Sequence, residues 1–351
     1  MELRFPLILD GATGTELQKR GYTGDVSAEQ WVLAHPDSKA LLAGDLSPTG
    51  LFLAPLGSAS FDQLVDAYAQ QAAGLEAAGV DLYVIETMMT LSDARAAVLA
   101  VRSVSAKPIF VTFTCDQNGR SISGTDITAA LLVLQGMGID AFGLNCSAGP
   151  GQMLPQLRRL REYARIPLIA KPNAGMPTIV NGKAVYDCTP EQFTALVPDM
   201  LASGVMIFGG CCGTTPEHIA ALRGALDGAA ITPPAPLHTD LLPAATEKLP
   251  ALLPADAAHG PVLDVTPGLE DALSDALERD DPMVALRVAS MADVNALAAC
   301  QYLLTKPLCL VCGDAAVLEQ ALRVYQGRAL YEGGLPESVL RPLSDKYGLL
   351  F

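Results

Sequence analysis

Val205-Met-Ile-Phe-Gly-Gly-Cys-Cys-Gly-Thr-Thr-Pro216 decides how this chain is read. Val205–Gly209 makes a short apolar strand pattern. The glycines and the adjacent pair Cys211-Cys212 stand where it runs out, and Pro216 suits the first turn of a following helix. Ala141-Phe-Gly-Leu-Asn-Cys146 has the same design, an apolar run that ends on a cysteine. Three thiolates converging from two strand ends suit one zinc ion with an open fourth position, the arrangement of a catalytic zinc.

Working outward, further apolar runs cover Leu7–Asp10, Leu41–Leu46, Asp81–Glu86, Pro108–Thr114 and Pro167–Lys171. They are continuous, as parallel strands buried on both faces require. Helical patterns lie between the strand runs: Phe61–Ala78, Ser92–Val104, Asp126–Met137, Gly151–Ala164 and Thr189–Ser203, with Ser92 and Asp126 as expected N-caps. The βαβα alternation predicts an α/β protein with a parallel sheet. Asp10, Glu86, Cys146, Asn173 and the Cys211-Cys212 pair all fall at or just after the C-terminal ends of different strands. A (β/α)8 TIM-type barrel gathers those ends around one mouth, whereas an open sheet spreads them along an edge, so the barrel is expected.

The 351 residues are 50% hydrophobic and only 17% charged, which excludes disorder. A net charge of -15 speaks against nucleic-acid binding. No signal peptide or membrane-length apolar run is read, so a cytoplasmic location away from membranes is expected. Eight cysteines in that compartment point to metal or catalysis before disulfides. Cys309-Leu-Val-Cys312 has metal-like spacing, but on a strand its two side chains face opposite ways. His218 reads as solvent-facing or as a support to the zinc ligands, and His35, His238 and His259 suggest nothing specific.

Prolines at 233, 234, 236, 243, 250 and 254 mark residues 231–260 as a Pro/Ala-rich linker with extended stretches. It separates a barrel, residues 1–230, from a small C-terminal α/β unit, residues 261–351. In that unit Val262–Val265, Met283–Ala289 and Leu308–Val311 alternate with the helical patterns Leu269–Arg279, Ala292–Leu304 and Ala315–Tyr325.

Three thiolates leave zinc with excess negative charge, a poor arrangement for activating water but a good one for a substrate thiol. The metal lowers the thiol pKa and presents a thiolate nucleophile. Asp10-Gly-Ala-Thr-Gly-Thr15 reads as a strand–helix turn or as a backbone cradle for a carboxylate. Glu86 ends an apolar strand, where a carboxylate needs a partner; it reads as a site residue or as a helix cap.

These stretches resemble the homocysteine S-methyltransferase family, above all the homocysteine-binding module of cobalamin-dependent methionine synthases. The resemblance rests on Leu9-Asp-Gly-Ala-Thr-Gly-Thr-Glu-Leu-Gln18, Gly44-Asp-Leu-Ser-Pro-Thr-Gly50, Ile85-Glu-Thr87, Asp93-Ala-Arg95, Gly143-Leu-Asn-Cys146, Pro172-Asn-Ala-Gly175 and Gly209-Gly-Cys-Cys-Gly-Thr-Thr-Pro-Glu-His218. It implies a barrel, Zn2+ held by Cys146, Cys211 and Cys212, and homocysteine bound as thiolate and methylated to methionine. No catalytic residue is implied beyond that zinc-activated thiolate. Asp10, the Gly11–Ala12 backbone and Glu86 are implied to hold the amino-acid end, with Asn173 as a further substrate-binding residue.

The family's second strand–helix unit is missing: Asp37 runs almost directly into the third strand, and seven strands are counted where a barrel has eight. No corrinoid-binding motif is present, so methylcobalamin is expected on a separate protein. The C-terminal unit resembles a fragment of the family's folate module without its binding residues. The alternative is a non-catalytic or impaired homocysteine- or zinc-binding paralogue acting as a partner subunit.

Overall fold

The structure, a computed structural model, describes residues 3–11, 41–53, 57–180, 183–234 and 240–351. Seven parallel strands form one sheet: β1 (Leu7–Ile8), β2 (Ala43–Leu46), β3 (Leu82–Met88), β4 (Ile109–Phe113), β5 (Ala141–Asn145), β6 (Leu168–Lys171) and β9 (Val205–Phe208). Their spatial order is β1-β9-β6-β5-β4-β3-β2. Every neighbouring pair follows barrel order except one: among the described residues β1 and β2, the two ends of the row, do not pair. The fold is a TIM-type α/β barrel, and among the described residues it has the seven strands that the sequence count predicts.

The strands are apolar on both faces because one face meets the barrel interior and the other its helices. Leu82, Val84, Phe110, Ala141, Ile169 and Ile207 form the inner cluster. The outer helices are α1 (Phe61–Ala77), α2 (Leu91–Val104), α3 (Ile127–Gly136), α4 (Pro150–Arg161), α5 (Pro190–Thr194), α6 (Val197–Ala202) and α7 (Pro216–Leu226). Asp126 caps α3 as expected, its side chain accepting from Thr128 N. The cap of α2 is Thr90, not Ser92: the Thr90 side chain accepts from Asp93 N, while Ser92 lies inside the helix and is buried. The single helix expected over Thr189–Ser203 is two, because Pro198 has no N–H with which to continue α5. Between β6 and α5 a short antiparallel hairpin intervenes, β7 (Thr178–Val180) with β8 (Lys183–Val185).

The expected linker is structured. Its extended stretches pair as an antiparallel hairpin, β10 (Leu241–Ala245) with β11 (Pro250–Pro254). Proline survives there because a two-stranded ribbon has free edges on which a missing N–H costs nothing. The C-terminal unit then builds a four-stranded parallel sheet, β12 (Leu263–Asp264), β13 (Val284–Arg287), β14 (Leu308–Val311) and β15 (Leu330–Glu332). Its helices are α8 (Leu269–Glu278), α9 (Met291–Cys300), α10 (Ala315–Val324) and α11 (Glu337–Tyr347). This unit does not hang free. A continuous apolar core runs from Leu64 and Leu99 in the barrel helices to Leu318 and Tyr347.

Candidate functional site

The strand ends of β5, β6 and β9 are laced together by backbone hydrogen bonds. Cys146 N donates to Lys171 O, Asn173 N to Ala148 O, Cys211 N to Pro172 O, and Ala174 N to Cys212 O. This lacing brings residues 146, 211 and 212 into one cluster. Their sulfurs all lie within 4.8 Å of one another, with 3.8 Å between Cys146 Sγ and Cys212 Sγ. Two zinc–sulfur bonds of ~2.3 Å at a tetrahedral angle place sulfurs about 3.8 Å apart. The donor set and its spacing therefore fit the ion.

Electrostatics agree with that fit. The Cys146 thiol is pulled down to about 5, chiefly by the hydrogen bond with Cys211, with the Ser147 amide, Cys212 and Asn173 assisting against burial. The same bond, together with burial, pushes Cys211 up, and burial and the Cys146 charge push Cys212 up. Charge in the trio therefore falls first on Cys146, and a divalent ion binding there would release the remaining protons.

Backbone geometry aims these groups. Cys146 and Ser147 have φ of 58° and 55°, so the chain turns sharply out of β5 and directs Sγ toward the neighbouring strand ends. Gly213 has φ of 80° and lies under the Tyr186 ring, which a Cβ there would strike. Tyr186, from just after β8, lies over Gly213 beside the thiols, and burial, with the charge of the cysteines, raises its phenol.

Asn145 was not singled out as a site residue, yet it is fully buried and makes several contacts. Its amide donates to Thr87 Oγ1 at 2.7 Å and lies 3.8 Å from Cys211 Sγ, while its carbonyl accepts from Thr87 N and Thr112 Oγ1. Its signal in the sequence was a polar residue closing an apolar strand beside a cysteine. Asn173, 4% exposed, has a side-chain oxygen without a hydrogen-bond partner among the described residues. A buried orphan acceptor beside a thiol cluster suits a ligand donor.

Glu86 sits in a bulge: the β3–β4 register shifts between Ile85 and Met88, and Thr87 takes φ of 61°. Glu86 does not cap α2. Its carboxylate meets Lys171 Nζ at 2.6 Å, and the same nitrogen meets Asp10 Oδ1 at 3.0 Å. Lys171 was also missed by the sequence reading. Its side chain is 5% exposed, and the two carboxylates hold its ammonium well above the usual lysine range despite burial. Gly11 packs close to Thr214, where a Cβ would stand 2.9 Å from Oγ1. Ala12, His35 and His238 lie outside the described residues.

His218 is neither solvent-facing nor turned to the thiols. It is 6% exposed, it closes the α7 capping box with Thr215, and its Nε2 meets the Cys188 carbonyl at 2.8 Å. Cys309 and Cys312 do face opposite ways, into different apolar clusters. A cleft of about 480 Å³ opens beside Cys146, lined by Cys115, Leu144, Ser147, Gln152 and Met153 among others. Asp10, Glu86 and Lys171 do not line it.

A parallel α/β barrel with a three-thiol cluster at its mouth defines a class: barrel proteins whose strand ends bring together a donor set suited to a thiophilic metal. The chain belongs to the homocysteine S-methyltransferase family, whose profile matches residues 27–226. It is 36% identical over 200 residues to the methionine synthases of Mycobacterium leprae and Mycobacterium tuberculosis. The match takes in 55% of this chain and 16% and 17% of those proteins, so the chain spans about a sixth of their length. Among solved structures, the apo form of the homocysteine methyltransferase MmuM from Escherichia coli aligns over 62% of this chain and 95% of its own, with 22% identity and a TM-score of 0.49. No helix among the described residues is long and apolar enough to cross a membrane.

Proposed function

We propose that the chain is a zinc-dependent S-methyltransferase acting on homocysteine. The observation that carries this reading is the cluster of Cys146, Cys211 and Cys212, with the 3.8 Å spacing between two of its sulfurs. When bound, the zinc ion would lower the pKa of a substrate thiol and supply a thiolate at neutral pH. The chain's own residues do the rest. Asn145 steadies Cys211 and ties it to β3 through Thr87. Glu86 and Asp10 attract the substrate ammonium, the Gly11–Ala12 backbone receives its carboxylate, and Asn173 Oδ1 accepts a further donor. The substrate sulfur then forms a bond to the methyl carbon as the donor–carbon bond breaks, and its electron pair stays with the donor. The donor is a methyl-corrinoid carried on a separate protein or a small methylsulfonium compound. Residues 1–230 form the catalytic unit, 231–260 the connection and 261–351 an accessory unit, in a cytoplasmic enzyme of methionine biosynthesis.

Cys211→Ser tests this. The variant is expected to lose the zinc held at the thiol cluster and to make at least a hundredfold less methionine from homocysteine with methylcobalamin or S-methylmethionine. A folded, zinc-loaded wild-type chain that forms no methionine from either donor would sink the proposal in favour of a binding-only paralogue.

A further inference from the structure

A second set of metal-binding atoms lies in the C-terminal unit, far along the chain from the thiol cluster. His259, Cys309 and Glu332 bring one ring nitrogen, one sulfur and one carboxylate oxygen within 4.8 Å of one another. Topology explains the meeting. Cys309 and Glu332 stand on one face of adjacent parallel strands, because Cys309 pairs with Leu330 and Val311 with Glu332. The segment leaving the β10–β11 hairpin crosses that face, with Ala257 and Val262 packed on the same apolar cluster as Cys309. This crossing sets His259 above the sulfur. Gly260 allows the close approach, since a Cβ there would collide with the Asp281 carboxylate.

The hydrogen bonds of His259 fix its chemistry. Its Nδ1 is 2.5 Å from the Gly260 carbonyl, which can only accept, so Nδ1 carries a proton. Its Nε2 then faces Glu332 Oε2 at 2.6 Å, a hydrogen bond through one shared proton; a zinc ion taking the place of that proton would spread the two atoms to about 3.3 Å, a small rotation for the exposed Glu332 side chain. A metal-ligating histidine ordinarily donates its second ring N–H to a carbonyl or carboxylate, as here. That proton engages two of the three donors and leaves the Cys309 thiol to its apolar packing, whereas a metal ion in its place would use all three, which lie within 4.8 Å of one another. Imidazole with thiolate selects zinc and its neighbours over magnesium or calcium.

We propose that His259, Cys309 and Glu332 form a second divalent transition-metal site of zinc type, independent of the thiol trio. It joins the segment after the hairpin to β14 and β15. The side chain of Glu332 is 59% exposed, so a water completes the coordination from that side.

The experiment is metal counting on the full-length chain, stripped with chelator and reloaded with Zn2+ or Co2+. Wild type is expected to bind two equivalents. His259→Ala and Cys309→Ser should each bind one, and Glu332→Gln should weaken the second equivalent by about tenfold or more. The Cys211→Ser chain leaves this unit untouched, so it should still take up one Co2+ with a sulfur-to-cobalt charge-transfer band of a single thiolate. Adding Cys309→Ser to that chain should remove the band. Equal metal content in wild type and the three single variants, or a Cys211→Ser chain that binds no metal, overturns the proposal. If His259→Ala fails to fold by circular dichroism, the Glu332→Gln and Cys211→Ser chains decide alone. Failure of the thiol site would instead leave the second equivalent intact, so the two readings fail separately.

Discussion

Lys171 bridges Asp10 and Glu86, the two carboxylates proposed to attract the substrate ammonium, and so cancels one of their two charges. Removing its charge leaves two carboxylates facing each other. Loss of one partner of a buried pair costs about 3–5 kcal/mol, and the half-exposed Asp10 reduces that to about 1–3 kcal/mol. Lys171→Met should therefore shift the urea midpoint downward. Homocysteine should then restore stability more in the variant than in wild type, because its ammonium replaces the missing charge. An equal response of both chains to homocysteine would contradict that replacement. The contrast with the cysteines shows what single residues reveal. Cys146, Cys211 and Cys212 were legible because glycines and strand ends framed them. A lysine closing an apolar run reads as a side chain snorkelling to water, and only the position of Asp10 and the β3 bulge turns it inward.

At the scale of elements, Asp93 is the junction of three. It is 2% exposed, accepts from Thr49 Oγ1 at 2.8 Å and Tyr68 Oη at 3.1 Å, and lies beside the cap residue Thr90. It ties the loop after β2 to α1 and α2, and burial raises its carboxyl despite those donors. Tyr68→Phe removes one donor from a buried acceptor and should cost about 1–3 kcal/mol, read from urea unfolding. A change below a few tenths of a kcal/mol would show that Thr49 alone suffices. The alternation of β3 to β6 with α1 to α4 was legible because each strand is an unbroken apolar run. The β10–β11 hairpin was not. Its prolines at 243, 250 and 254 carry the composition of a linker, and only docking onto α3 and the C-terminal sheet makes it a ribbon.

For the whole molecule, the barrel and the C-terminal unit share one interior. Arg95 of α2 is fully buried, and its guanidinium, pushed down to about 10 by burial, donates to the Leu322 carbonyl and to Gln326 Oε1. Arg328 reaches back to the carbonyls of Leu132 and Gly348. Two arginines crossing in opposite directions fasten the units, each at carbonyls near a helix C-terminus, where positive charge is favoured. A chain ended at residue 230 would expose Arg95 and the outer faces of α2 and α3. It should unfold at lower urea than the full chain or precipitate, as circular dichroism and sedimentation would show. A cooperative transition at the full chain's midpoint would mean that the barrel stands alone. The unit's existence was legible from its own alternation, but its attachment depends on contacts between residues more than 200 apart, which no local pattern encodes.

Both clusters proposed to bind metal join residues distant in sequence, 66 positions apart for Cys146 and Cys212 and 73 for His259 and Glu332. Closing loops of that length costs entropy that only a docked sheet repays. Neither cluster therefore exists in the nascent chain, and each assembles only after its parallel strands have paired, the slow part of folding for such a topology. On the proposed reading, metal arrives last, as a lock on a finished architecture and not as a seed for it.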